Sequence, residues 1–155
     1  MTAKSLINPA DRAALLERLH RVRPETPRLW GRMTAPQMIC HLTDAFRGVM
    51  GERQSSSPPA VIPRWRQRLV KFFALQLPIS WPRGMKTRPD IDQKRGGTPP
   101  RDFSSDVVEL VRACERFAAG EGTRRPHYLF GPLTDEEWGR WGYRHVDHHL
   151  RQFGV

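Results

Sequence analysis

The sequence has few of the features that mark secreted, membrane-spanning or disulfide-bonded proteins. Its 155 residues include only two cysteines, Cys40 and Cys114, which lie far apart and form no CxxC pair. No apolar run is long enough to cross a bilayer, and the first residues, MTAKSLINPADR, contain no apolar signal core. We therefore expect a cytoplasmic protein in a reducing compartment, with both cysteines packed as small buried apolar residues.

Lysine and acidic residues are also scarce. Only 4 of the 26 basic residues are lysines, and 16 acidic residues leave a formal net charge of +10. Such a surface attracts polyanions. The arginines, however, are spread from Arg12 to Arg151 without a dense run, and no nucleic-acid-binding motif is present. Nucleic acid is therefore not an expected partner, and a membrane is an unlikely one. Pairing through exposed helix faces makes a homodimer reasonable.

The alternation of apolar and polar residues that is typical of half-buried strands is absent from the sequence. Apolar residues recur at helical spacing in four segments instead, and each segment begins after a residue that favours a helix N-cap. The four N-cap residues are Asn8, Thr34, Asp102 and Thr134. The expected ends of the four helices are near Pro24, Gly51, Gly120 and Gly154.

Residues 52–100 separate the second and third of these helices. They comprise a Ser/Pro-rich link at 52–61, an amphipathic segment at 62–77 and a Pro/Gly-rich loop at 78–100. The amphipathic segment predicts an extra helix that serves as a lid or a dimer contact, with an anionic membrane or a partner helix as the alternatives. The sequence thus predicts an all-α, single-domain protein (1–155), a four-helix bundle in which one long connection carries an extra amphipathic helix.

Three histidines lie within five residues near the end of the chain. On a helix His145 and His149 lie one turn apart on the same face as Trp138 and Trp141, while His148 lies beside that face. The two tryptophans are expected to be core residues, and secondarily a pocket wall. An HxxxH pair can bind one metal ion; capping of the helix end or simple exposure is the alternative.

His41 lies on the apolar side of the second predicted helix. A buried imidazole needs a polar partner, which here is a backbone carbonyl, the nearby Asp44, or a metal ion shared with the HxxxH pair. Because a bundle brings such apolar faces together, one ion would satisfy all three histidines, and three imidazoles with an open position form a catalytic type of site. Such a site fits zinc, nickel, iron or manganese, and imidazole ligands alone do not choose among them. Zinc and nickel are the ions we expect first.

The helix MTAPQMICHLTDAF and the ending HYLFGPLTDEEWGRWGYRHVDHHLRQFG resemble the DinB superfamily of bacterial four-helix-bundle metalloenzymes, also called DinB/YfiT-like, and in particular a branch described as a domain of unknown function. The similarity covers most of the chain and is weakest over 52–100. It implies divalent-metal ligands at His41, His145 and His149, with His148 as a substitute. It also implies a metal-dependent enzyme: several relatives are thiol S-transferases that activate a low-molecular-weight thiol against an electrophile, and others are isomerases or hydrolases.

No catalytic residue is evident beyond the histidines. Asp44 is a weak candidate, as a base or as a group that orients His41, and a surface aspartate is an equal alternative. Arg144 and Arg47 are candidates for binding a carboxylate-bearing thiol, although exposed helix arginines explain them more simply. Cys40 points about 100° away from its neighbour His41 and is expected to pack. The alternative to an enzyme is a non-enzymatic bundle that binds a small molecule or a protein.

Overall fold

The computed structural model describes residues 3–54, 62–85 and 88–155, and among these residues the regular elements are all helical, apart from one isolated β-bridge. The prediction of an all-α protein is confirmed. The α-helices are α1 (Pro9–Leu19), α2 (Ala35–Val49), α3 (Arg64–Lys71), α4 (Phe103–Ala118) and α5 (Asp135–Gln152). A π turn (Phe72–Gln76) extends α3, and a 3₁₀ turn (Pro89–Ile91) precedes α4. Residues 55–61 of the predicted link lie outside the described part of the chain.

Side-chain caps confirm the predicted starts of four helices. The Asn8 side chain accepts hydrogen bonds from two backbone N–H groups at the start of α1, and Asp102 accepts one at the start of α4. Thr34 and Thr134 each form a complete capping box with the residue three positions later. These caps satisfy N–H groups that have no partner within the helix, and they depend only on residues close in sequence.

Two helices are shorter than the sequence predicts. α1 ends at Leu19 rather than near Pro24, and the chain leaves it through a tight turn in which Val22 N donates to Leu19 O at 3.0 Å. The amphipathic helix, expected over 62–77, is α-helical only as far as Lys71. The wider π turn that follows contains Leu75, the one buried residue in the turn, at 1% exposure.

The packing of α2, α4 and α5 positions the histidines. α2 contacts both α4 and α5, and α1 contacts α5. Phe46 of α2, Phe117 of α4 and Trp141 of α5 form an aromatic cluster with ring centroids 5.1–5.9 Å apart. Trp138 and Trp141 are 2% and 4% exposed, which confirms both as core residues. None of the described helices combines the length and the apolar composition that a membrane span requires.

Candidate metal centre

Helices α2 and α5 bring three imidazoles together. His41 of α2 and His145 and His149 of α5 each offer one nitrogen, and these three nitrogens all lie within 4.8 Å of one another. The ring centroids are 4.8, 5.2 and 5.4 Å apart. His41 and His149 are buried and His145 is partly buried. The three side chains can therefore hold a metal ion.

A backbone carbonyl orients the ring of His41. Its Nδ1 lies 2.9 Å from the carbonyl oxygen of Ile91, in the 3₁₀ turn. Because a carbonyl oxygen only accepts hydrogen bonds, Nδ1 carries the proton and donates it, and Nε2 keeps its lone pair. A hydrogen bond of this kind from the non-ligating nitrogen is typical of histidines that bind metal.

Gln152 orients the ring of His149 in the same way. The amide nitrogen Nε2 of Gln152 donates to the carbonyl oxygen of Trp30 at 2.8 Å, which turns Oε1 toward His149 Nδ1 at 2.9 Å. His149 therefore donates from Nδ1 and also keeps a lone pair on Nε2. Gly31, which follows Trp30 in the chain, has φ +79°. A Cβ at this position would lie 2.4 Å from Gln152 Nε2, so the close approach of Gln152 requires glycine.

His145 is the imidazole with an unpaired buried atom. Its Nδ1 has no hydrogen-bond partner within the described ranges. The ring lies between two indoles, with centroids 5.1 Å from Trp141 and 6.0 Å from Trp81. Burying a polar nitrogen without a partner costs free energy, and the orphaned nitrogen therefore fits a ring that binds an ion.

Burial lowers the pKa of all three imidazoles below the ordinary histidine value. The neighbouring imidazoles lower the pKa of His145 and His149 further, while the hydrogen bond to Ile91 acts in the opposite direction on the pKa of His41. All three rings are therefore neutral at neutral pH, and the neutral ring is the form that binds metal.

Asp44 is completely buried, so its alternative interpretation as a surface aspartate is wrong. Its carboxylate accepts hydrogen bonds from Thr98 Oγ1 and Thr98 N, both at 2.7 Å, and from Arg53 Nη1 at 3.2 Å. Ile91, not Asp44, is the hydrogen-bond partner of His41. Asp44 thus ties residues 93–98 to α2. Its charge also raises the pKa of His41, against the larger effect of burial.

Arg144 lies along the segment that follows the π turn. Its guanidinium donates hydrogen bonds to the carbonyl oxygens of Leu77 and Ile79, and it lies 5.9 Å from the ring centroid of Trp81. Burial lowers the pKa of Arg144. The side chain therefore fixes the segment that places Trp81 beside His145, and two of its N–H groups are already occupied.

The structure leaves three other candidates outside the histidine cluster. Arg47 pairs with Glu109 of α4 at 3.2 Å. The Cys40 thiol is 3.6 Å from Asp106 Oδ2, and burial and the charge of Asp106 raise its pKa to about 12, which agrees with a packing role. His148 is partly buried beside the cluster and contributes no ligand atom to it.

Sequence reasoning missed the groups that support the three histidines. Gln152 shares the face of His149 at a spacing of three residues, and that spacing was the available signal for a hydrogen bond between them. Ile91 and Trp81 lie in the loop predicted at 78–100, where no periodic pattern indicates which side chain or carbonyl turns inward. Their contribution depends on tertiary contacts far apart in sequence.

Comparison with known proteins identifies a family but no individual relative. No significant match is found among curated proteins or among solved structures. The family described as "Protein of unknown function (DUF1569)" matches residues 59–154. The matched range includes His145 and His149 and lies after His41 and the whole of α2. Because this match covers more than half of the chain, the protein belongs to the DUF1569 family.

Proposed function

We propose that the protein is a divalent-metal-dependent enzyme of the DinB/YfiT-like kind, with one zinc or nickel ion held by His41, His145 and His149. In this proposal α1, α2, α4 and α5 form the four-helix bundle, and residues 52–100 are its long connection. The observation that carries the proposal is the convergence of three neutral imidazoles from two helices within 4.8 Å. Iron and manganese are the alternative ions.

The hydrogen bonds around the rings favour an ion over a self-satisfied polar cluster. Imidazoles that satisfy one another do so by ring-to-ring hydrogen bonds, and none joins these three rings within the described ranges. His41 and His149 direct their N–H groups outward, to Ile91 and Gln152, and so keep lone pairs on Nε2. Lone pairs held this close together require a shared cation or proton donor.

We propose a low-molecular-weight thiol and a small electrophile as the substrates, on the basis of the resemblance to thiol S-transferases. A bound divalent ion supplies Lewis acidity, which lowers the pKa of a coordinated thiol toward neutrality. The thiol would lose its S–H proton to solvent, its sulfur would form the new C–S bond, and the bond from that carbon to the leaving group would break, with its electron pair departing on the leaving group. Trp81 and Trp141 flank His145 and restrict water there, and Arg144 keeps Trp81 in place.

Metal content tests the site. Protein purified without a histidine tag or chelator is expected to contain about one divalent ion per chain. Added to metal-free protein, zinc or nickel at about a hundred times its Kd should raise the free energy of unfolding by about 2.7 kcal/mol, measured by thermal unfolding. This stabilisation should be lost in His41→Ala and in His149→Ala, and kept in the control His148→Ala. Wild type that carries no ion and shows no shift would overturn the metal centre.

Turnover tests the chemistry. Metal-loaded protein is incubated with a panel of thiols (bacillithiol, mycothiol and glutathione) and small electrophiles, and thioether formation is measured against His145→Ala. We expect wild-type turnover above that of the variant for one thiol at least. A protein that binds metal and still gives no turnover above the variant would contradict the enzyme and leave the metal centre standing.

One observation favours a second candidate, a non-enzymatic bundle that binds a small molecule or a protein. The two weak catalytic candidates are both engaged in structural contacts: Asp44 with Thr98 and Arg53, and Arg144 with backbone carbonyls. Calorimetric titration of the metal-loaded protein with the thiol panel separates the two functions. Binding without turnover would favour the non-enzymatic bundle.

A further inference from the structure

The extra helix presents a large apolar surface to solvent. Trp65 is 63% exposed, and Leu69, Phe72 and Phe73 are each 50% exposed. We call these four side chains the α3 apolar face. None of the described residues of α3 is buried. A lid would turn these side chains inward, whereas the structure leaves them exposed to solvent.

The opposite side of the helix is fixed to the protein, which keeps the α3 apolar face outward. Leu75 of the π turn is buried at 1% exposure. Lys71 Nζ forms an ion pair with Glu137 of α5 at 2.9 Å, and Trp81 Nε1 donates to the carbonyl oxygen of Ala74 at 2.9 Å. The orientation of the face therefore follows from contacts on the other side of the same helix.

The segment of sequence that carries this face has basic residues and no acidic ones. Between Glu52 and Asp90 the sequence contains no acidic residue and eight basic ones: Arg53, Arg64, Arg66, Arg68, Lys71, Arg83, Lys86 and Arg88. Arg64, Arg66 and Arg68 of α3 are exposed, and the guanidinium of Arg66 lies 5.8 Å from the Trp65 ring centroid. Exposed apolar and basic side chains are thus interleaved along α3 and the π turn.

We propose that α3 and the π turn bind the surface of an anionic phospholipid bilayer. Tryptophan, phenylalanine and leucine enter the boundary between headgroups and acyl chains, while arginines contact the anionic headgroups. A second copy of the chain fits this face poorly, because it would bring the same three arginines and a net charge of +10 against it. The helix lies in the plane of the bilayer surface and does not span it.

Vesicle co-sedimentation of the full chain tests this proposal. The vesicles are phosphatidylcholine alone, and phosphatidylcholine with phosphatidylglycerol as about a third of the lipid. We expect binding to the anionic vesicles, weakened by added salt, and little binding to the neutral ones. Bilayer contact is checked directly with brominated lipid, which should quench wild-type tryptophan fluorescence more than that of Trp65→Phe.

Two variants, each with a matched control, distinguish binding by this face from the effects of net charge and of exposed apolar side chains elsewhere on the protein. The first variant, Arg64→Gln with Arg66→Gln and Arg68→Gln, should bind about a hundredfold more weakly, at about fivefold for each charge. Its control carries the same change at three exposed arginines elsewhere: Arg21, Arg32 and Arg112. The second variant, Leu69→Ser with Phe73→Ser, should also lose binding, whereas Val108→Ser, at an exposed apolar residue of α4, should keep it.

Each outcome supports or overturns the proposal. Equal losses in the variants and their controls, or equal binding to neutral and anionic vesicles, would overturn it. So would a lipid-independent dimer that disappears in Leu69→Ser with Phe73→Ser, since the face would then belong to a second copy. The side chains replaced in the two variants and their controls are all exposed, so unchanged circular dichroism and melting temperature verify folding. His149→Ala should bind vesicles like wild type, which separates this proposal from the metal centre.

Discussion

His127 is a buried imidazole outside the candidate metal centre, and it shows how one side chain couples stability to pH. Its Nδ1 accepts hydrogen bonds from the backbone N–H groups of Leu129 and Phe130 at 3.2 and 3.3 Å, and its ring stacks on that of Phe130 with centroids 4.4 Å apart. Burial, and secondly the charge of Arg88, lower the pKa of His127 to about 3. The folded protein thus holds this ring neutral.

A lowered histidine pKa makes the folded state less stable in acid. The unfolded chain takes up the proton near the ordinary pKa of about 6.5, whereas the folded chain does so only near 3. As the pH falls below about 6.5, the unfolded chain binds more protons, and folding loses up to about 1.4 kcal/mol per pH unit at this position. Above that pH the contribution of His127 to stability is fully present.

The variant His127→Asn isolates this effect. An asparagine carbonyl can accept hydrogen bonds from the same two N–H groups and does not titrate. We expect the slope of unfolding free energy against pH to fall by about 1.4 kcal/mol per unit between about pH 6 and pH 4. Denaturant unfolding in the presence of a chelator measures it. An equal change in the control His20→Asn, which removes an exposed imidazole, would contradict the assignment.

At the scale of elements, the loop before α4 acts as a support for α2. Asp44 and Arg53 hold the loop at Thr98 and at the backbone oxygen of Asp90, and the neighbouring carbonyl of Ile91 holds His41. Two elements far apart in sequence are joined by hydrogen bonds to one buried carboxylate. The position of His41 Nε2 therefore depends on residues outside the histidine cluster.

The variant Thr98→Val tests this dependence. It removes the hydroxyl that donates to Asp44 Oδ1 at 2.7 Å and keeps the backbone N–H that donates to Oδ2. We expect a loss of about 1 to 2 kcal/mol of stability and about a tenfold weaker zinc affinity, because the support of His41 loosens. Competition titration against a zinc indicator measures the affinity.

Thr43→Val is the matched control for Thr98→Val. Thr43 is a buried threonine of α2 whose hydroxyl donates to the Ile39 carbonyl oxygen within the same helix. The control should change stability and leave zinc affinity within about twofold of wild type. Unchanged zinc affinity in Thr98→Val would show that the loop does not position His41.

The sequence predicts the helices where neighbouring residues determine them. It does not predict which groups of the loop before α4 contact the histidines. The caps at Thr34 and Thr134 join groups three residues apart, so the sequence alone indicates them. The same holds for the one-turn spacing of His145 and His149. The bond between His41 and Ile91 spans 50 positions. It arises only after the chain has packed, so no local pattern encodes it.

At the scale of the whole molecule, the segment that matches the family does not contain all three histidines of the cluster. The match covers 59–154, while the cluster and the core both require α2. Four residues of α2 are buried at 0% exposure and are apolar: Met38, Ile39, Leu42 and Phe46. Removing them would cost about 2 kcal/mol or more for each side chain, a sum close to the whole stability of an ordinary domain.

A fragment that consists of residues 59–155 is therefore expected to remain unfolded and to bind no metal at the centre. Far-UV circular dichroism and thermal unfolding measure the first property, and zinc competition measures the second. Adding the separate segment 1–58 is the control, and it should restore helix content if the two parts pack as they do in the intact chain. Cooperative melting of the fragment alone would contradict the prediction.

The two histidine-bearing helices give the histidine triangle one side that changes little. His145 and His149 lie four residues apart on a single helix, so their backbones are about 6 Å apart along its axis. His41 meets both across the space between α2 and α5, so the other two sides of the triangle depend on how these helices pack. Separation of the two helices would lengthen both sides together, whereas sliding along the axis would lengthen one and shorten the other. Ions of different radius would therefore be accommodated by a small relative displacement of α2 and α5.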